Sequence, residues 1–196
     1  MAVRFSERER DKIVQALLSS AQAHAAHDGL KKTTVDELAA EAGISKGAFY
    51  SFYPTKEHLF LDMLEHWHKD VAEKAAAAMR LNAALPDRQR AAETLKATVR
   101  AMRESPLARF QQRDVPLLMR KIPESLWREH YQSDEAFVRG LIADMGVQLT
   151  APEEVVFSAV RILFLSQLTA EQAGPGYERA VDALIDGAVL LLLQEK

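Results

Sequence analysis

The 196-residue chain contains no cysteine. That absence excludes disulfides, thiolate metal sites and cysteine nucleophiles together. Long apolar runs are missing too. The longest, Ala188 to Leu193, falls far short of the roughly 20 residues that span a bilayer. The opening MAVRFSERERDKIV lacks the apolar stretch of a signal peptide, so the expectation is a cytoplasmic protein with no membrane partner. Neither sign of charge dominates: 25 Lys and Arg meet 28 Asp and Glu, for a net charge of -3, and residues 1–60 balance eight against eight. The chain as a whole carries no electrostatic footprint of a nucleic-acid partner, so any DNA binding must rest on local placement of charge. Period-two alternation is absent as well, which argues against a strand-rich fold.

What is present is helix, in an ordinary globular composition of 48% apolar and 27% charged residues. Ala, Leu, Glu, Arg and Lys dominate, which favours helix by propensity and by pattern. The expected fold class is all-α. Ser6-x-x-Glu9 and Thr34-x-x-Glu37 read as capping boxes that open a first and a second helix. The first should stop at His27-Asp28-Gly29 and the second at Gly43. Ser45 caps a short third helix running to about Phe52. Pro54-Thr55 then starts a long fourth helix reaching about Arg80, roughly 38 Å at ~1.5 Å per residue. Further helices are expected at about 87–104, 106–120 (disturbed by Pro116), 123–145, 152–170 and 175–194, four of them with Pro in the first turn. The layout is a three-helix N-terminal head, residues 1–54, joined to a larger helical body, residues 55–196.

Within the head, two short helices flank a tight turn at Gly43, and the second begins at a hydroxyl cap. That is the grammar of a helix-turn-helix, in which the first helix braces and the second presents its N-terminal residues to the major groove. Leu38, Ala39, Ala42, Ile44 and Phe49 should face inward. Thr33, Thr34, Ser45 and Tyr50 offer hydroxyls outward, and Lys46 and Lys56 offer charge. Lys46 suits a guanine edge, Gly47 keeps the backbone close to the groove floor, and Ala48 suits a thymine methyl. Arg4, Arg8, Arg10 and Lys12 add a basic start diluted by Glu7, Glu9 and Asp11. By pattern alone a packed helical hairpin without DNA remains an equal reading.

The run T-T-V-x-x-L-A-x-x-A-G-I-S-x-G-x-F-Y-x-F-Y-x-x-K-E-x-L, residues 33–59, resembles the DNA-binding head of the TetR family of bacterial transcriptional regulators. The resemblance implies backbone-contacting roles for Thr34, Ser45, Tyr50 and Lys56, and groove-reading roles for Lys46, Gly47, Ala48 and Ser51. Two departures stand out. The pair Phe52-Tyr53 replaces the family's usual Tyr or His followed by Phe, so Tyr53 would have to supply the phosphate bond that Phe52 lacks. Asp36, if it faced DNA, would repel a phosphate.

In the body, the stretches around 155–165 and 181–193 are apolar on nearly all sides, which asks for burial on more than one face. A central core helix in a monomer satisfies that, and so does a homodimer seam. The resemblance implies the seam, with Val156, Val160, Leu163, Phe164, Leu184, Ala188, Leu191 and Leu192 in it. Met102, Phe110, Leu118, Met119, Trp127, Tyr131 and Phe137 are core-like residues that also suit an adaptable pocket. The resemblance nominates them as the lining for an unknown small-molecule effector. A ligand there would displace helices near 100–125 and swing the head through the fourth helix.

The reading is therefore a non-enzymatic, ligand-responsive repressor that binds palindromic operator DNA as a homodimer and needs no cofactor or metal. Two alternatives stand beside it. One is a helical protein-interaction module whose head no longer reads DNA. The other is an all-α metal-dependent phosphohydrolase, suggested by the dipeptide His27-Asp28, which would need further His and Asp ligands on other helices. His58, Asp62 and His66 share a helix face, a spacing that also suits a metal, but a solvated face is much the better account of it.

Overall fold

The computed structural model describes residues 5–194. It is helical throughout apart from one short bridge, and it divides into two units. Residues 1–67 with 109–124 form the first, and residues 68–108 with 125–196 the second.

In the first unit, α1 (Glu7–His27) opens on the expected reciprocal cap. Glu9 N–H donates to the Ser6 hydroxyl, and the Glu9 carboxylate accepts from Ser6 N–H. It closes at Gly29, whose φ of +79° turns the chain into the left-handed region while its N–H bonds back to the His24 carbonyl. Glycine is the residue that reaches that region without steric cost. The second reciprocal cap, Thr34 with Glu37, opens α2 (Val35–Glu41). Ser45 opens α3 (Lys46–Phe49), which is one turn long and ends before the expected Phe52. The helix α4 (Lys56–Leu81) runs 26 residues, about 39 Å at 1.5 Å per residue. Its residues 56–67 belong to the first unit and the rest to the second.

The helix expected over 106–120 is two helices, α6 (Ala108–Arg113) and α7 (Val115–Lys121). Pro116 explains the break, because a proline inside a helix removes a donor and crowds the preceding turn, whereas the first turn tolerates it. Most of this pair packs into the first unit. Phe110 stacks on Phe60 with ring centroids 5.5 Å apart. With Leu17, Leu38, Phe49, Leu59 and Leu118, all fully buried, they make that unit's core.

The second unit holds the C-terminal part of α4, α5 (Asp87–Arg103), most of α8 (Glu124–Met145), α9 (Glu153–Ser166), the short α10 (Ala170–Ala173) and α11 (Tyr177–Leu192). Ala91 and Val99 of α5, Leu163 of α9, and Val181, Ile185 and Val189 of α11 share one core. Lys96 pairs with Asp186 at 2.7 Å alongside it. Both last helices end earlier than expected. The segment after Ser166 tightens into a 3-10 turn over Gln167–Thr169. After Leu192 the chain extends as β2 (Leu193–Gln194) and pairs antiparallel with β1 (Gln148–Leu149). A bridge of two residues per strand leaves no alternation for a sequence pattern to reveal. Arg88 fixes it by donating Nε to the Leu193 carbonyl at 2.9 Å. No described helix is long and apolar enough to cross a membrane.

Candidate nucleic-acid interface

The turn between α2 and α3 hangs on Gly43, at φ +70°, with Ile44 N–H donating to the Ala39 carbonyl at 2.9 Å. Leu38, Ala39 and Phe49 are buried behind it, and Ala42 and Ile44 half-buried. Ser45 accepts the Ala48 amide on its hydroxyl at 3.1 Å, which sets the start of α3. Ser45, Lys46, Gly47, Tyr50 and Ser51 are exposed on the outside of the motif, and Ala48 is half-buried beside them. Tyr50 stands edge-on to Phe49 at 5.6 Å. That contact orients the exposed phenol.

The ten residues expected to meet DNA fall into two groups. The exposed group already carries local bonds: Thr34 is engaged in its capping box, and the Ser51 hydroxyl donates to the Ala48 carbonyl. Lys46 donates to Asp36 at 2.8 Å, and that bond and the aspartate's charge hold the ammonium above the usual lysine value. Asp36 thus pairs with a lysine while staying exposed. The second group is committed to the fold. Thr33 is 1% exposed, its hydroxyl bonded to the Gly29 carbonyl. Tyr53 is 8% exposed and donates to Asp62 at 2.5 Å, so burial first and that bond second push its phenol up. Lys56 donates to the carbonyls of Leu30 and Thr33 at 2.7 and 2.6 Å, and burial lowers its ammonium from the usual value. A lysine that ties the α1–α2 connection to the start of α4 is holding the motif in place.

Phe52 has a role that its sequence position did not disclose. Its ring meets Phe5 at 5.7 Å, and the Arg10 guanidinium lies over it at 4.6 Å while donating to the Ser51 carbonyl. The basic start is thereby anchored beside the C-terminal end of α3 through Arg10, while Arg4 lies outside the described residues. No local spacing links positions so far apart in sequence, so only the fold shows the pairing.

The second unit holds an apolar cavity of about 80 Å³, part of it open to solvent. That is below the ~300–1,000 Å³ of small-molecule sites, so a ligand of that size would have to part the surrounding helices. Ala75 of α4, Leu95 of α5, Phe137, Leu141 and Met145 of α8, and parts of α9 and α11 line it. Of the seven residues expected to line a pocket, Phe137 lines this cavity. Phe110, Leu118 and Met119 belong to the first unit, and Met102, Trp127 and Tyr131 lie elsewhere in the second. The expected dimer set divides as well. Val156, Val160, Leu163, Phe164, Ala188 and Leu192 line the cavity, whereas Leu184 and Leu191 are exposed. Val155, Ile162 and Leu165 of α9 and Leu190 of α11 join those two outside, with Ile162 at 66% and Leu191 at 75%. Both helices are apolar on two faces, and the pattern alone could not say which face turns inward. The cavity's polar exception is α5, where the Thr94 hydroxyl is buried with no hydrogen-bond partner and the Thr98 hydroxyl is bonded to the Thr94 carbonyl.

The phosphohydrolase signature is not assembled. Asp28 pairs with His24 at 3.0 Å at the end of α1, and the only group of three or more metal-competent side chains among the described residues lies elsewhere. Nor do His58, Asp62 and His66 form such a group. His58 bonds to Thr55, and Asp62 takes up Tyr53 and His66.

Fold and turn geometry define an all-helical protein with a helix-turn-helix head. Residues 17–63 match the family model for bacterial regulatory proteins, tetR family. An uncharacterised helix-turn-helix-type transcriptional regulator of Bacillus subtilis, YuxN, is 39% identical over 61 residues. Those residues are 31% of this chain and 20% of YuxN, so the likeness spans about a fifth of that relative. Two crystal structures share the fold over nearly the whole length. Thermus thermophilus FadR, a TetR-family repressor in complex with lauroyl-CoA, superposes with a TM-score of 0.62 at 21% identity, covering 90% of this chain and 93% of its own. The TetR-family repressor AlkX from Dietzia, implicated in n-alkane biodegradation, gives 0.60 at 14% identity and 96% of each chain.

Proposed function

We propose that this protein is a ligand-responsive transcriptional repressor that binds a palindromic operator as a homodimer. The observation that carries the reading is the head: a capped α2, a left-handed Gly43 turn and a capped α3 exposing Ser45, Lys46, Gly47, Tyr50 and Ser51, within a segment that matches a regulator family. The exposed apolar rows of α9 and α11 supply the self-complementary face that a two-fold dimer needs. In such a dimer two recognition helices sit about 34–36 Å apart on one face of the duplex.

The apolar cavity is the effector site in this reading. Its walls favour an uncharged, largely hydrocarbon molecule, and the Thr94 hydroxyl supplies one hydrogen bond. The acyl and alkane chemistry attached to the two structural neighbours supports that class. The effector acts only through its preference for the DNA-incompetent state. A coupling of ~1–3 kcal/mol would lower operator affinity about 5–150-fold.

The test is fluorescence-anisotropy titration against DNA from immediately upstream of the protein's own gene, with a scrambled duplex and two salt concentrations alongside. The expected result is tight binding to the first duplex only, saturating at two or four chains, with affinity falling by ~0.9 log units per neutralised phosphate for each log unit of salt. Binding to neither duplex, or equal weak binding to both, would favour the protein-interaction module instead.

A further inference from the structure

The second unit holds one cluster that neither DNA binding nor the apolar cavity uses. His68 of α4 meets His130 and Asp134 of α8, and one ligand atom from each lies within 4.8 Å of the other two. Asp134 stands between the imidazoles, with Oδ1 3.4 Å from His68 Nδ1 and Oδ2 3.8 Å from His130 Nε2. The two rings lie 4.8 Å apart. We propose that His68, His130 and Asp134 form a binding site for a divalent transition-metal ion, Zn2+ or a similar borderline cation.

Three features support this. The donor set is two imidazoles and a carboxylate, which first-row divalent ions favour and which leaves positions open for water or a further ligand. The scaffold is rigid, because His130 and Asp134 are one helical turn apart on a continuous 22-residue helix and His68 is held on another. His130 is 3% exposed, packed edge-on to Trp127 at 5.3 Å, so its ring cannot swing away freely. Burial first, and then the neighbouring His68, push this imidazole down to about 4. The ligand atoms are wider apart than metal bonds of ~2.0–2.2 Å allow, so binding must draw them together by about 1 Å. The half-exposed His68 and Asp134 side chains have that freedom.

The experiment is a Co2+ titration of the chelator-stripped, full-length protein, read by visible d–d absorption and followed by Zn2+ competition. One equivalent of Co2+ should give intense bands of a low-coordinate site, and Zn2+ should bleach them. His68→Gln and Asp134→Asn, which alter partly exposed side chains, should keep the helical circular dichroism. Each should weaken binding by more than the ~10–100-fold lost with an outer partner of a metal ligand. His66→Gln, at a histidine outside the cluster, should bind as the parent does. Absence of the bands at stoichiometric protein and metal, or unchanged affinity in both cluster variants, would overturn the proposal. None of these readouts involves DNA, so failure of the operator titration leaves them intact.

Discussion

Replacing Thr94 and Thr98 by valine, one at a time, should change stability unequally although the chemical change is the same. Both threonines are buried on α5, one turn apart, and both line the apolar cavity. The Thr94 hydroxyl has no partner, and a buried hydroxyl without one costs about 1–3 kcal/mol. Valine has nearly the same shape and removes that cost, so Thr94→Val should stabilise the second unit by about 1–2 kcal/mol. The Thr98 hydroxyl donates to the Thr94 carbonyl at 2.7 Å. Losing that bond costs about 0.5–1.5 kcal/mol, offset by up to about 0.8 kcal/mol for the buried methyl. The two variants should therefore differ by about 2 kcal/mol, or about 4–8 °C in Tm for a chain of this size. Urea melts at one fixed protein concentration supply the assay. A Trp67→Phe background leaves Trp127 of the second unit as the only tryptophan reporter. If Thr94→Val proves no more stable than the parent, the hydroxyl has a partner in solution and the case for Thr94 as the effector's anchor falls with it.

Three further outcomes are expected. Asp36→Asn should release Lys46, tightening operator binding and steepening the salt slope by ~0.9 for each added phosphate contact. The gain should vanish in a Lys46→Ala background, and equal gains in both backgrounds would show that the pair is not coupled. Ile162→Asp with Leu191→Asp should give monomers in sedimentation velocity while helical circular dichroism is retained, because both side chains are exposed. A persistent dimer would place the seam elsewhere. Lys56→Met should lower the stability of the first unit by about 1–2 kcal/mol through the stranded carbonyls of Leu30 and Thr33. It should therefore weaken all DNA binding in proportion to the unfolded fraction, a loss that disappears on cooling.

The head was far more legible in the sequence than the body, for a physical reason. Caps and turns are local: Ser6 finds Glu9, Thr34 finds Glu37, and Gly43 takes up a backbone conformation that few other residues reach, so three or four consecutive residues carry each signal. Groups acting across the fold left no such mark. Thr33 looked outward as a free hydroxyl and the resemblance aimed Tyr53 at a phosphate, yet the Gly29 carbonyl and Asp62 claim them. The same holds for His68 with His130, separated by more than sixty residues and joined only when α4 and α8 meet. Helices apolar on one side declare their inner face, and α9 and α11 do not. With Val156 and Val155 adjacent and equally apolar, the choice of inward residue was settled by packing against α5 and α8 rather than by period.

That double-sidedness has a consequence for regulation under the proposed reading. The inner rows of α9 and α11, Val156, Val160 and Leu163 with Val189 and Leu192, line the cavity. Their outer rows, Val155, Ile162 and Leu165 with Leu184 and Leu191, would meet the partner subunit. Effector and partner would then be separated by the thickness of a single helix, about 10 Å. Close-packed interiors transmit displacement instead of absorbing it, so a ligand that spreads the inner rows must shift the outer ones. Binding linkage is reciprocal. An effector that weakens operator binding through this layer must also change the dimer dissociation constant, and dimerisation must change effector affinity by the same factor. Sedimentation equilibrium with and without a long-chain alcohol measures the first quantity. If a probe that occupies the cavity leaves the dimer constant untouched, the signal to the head bypasses the α9–α11 seam.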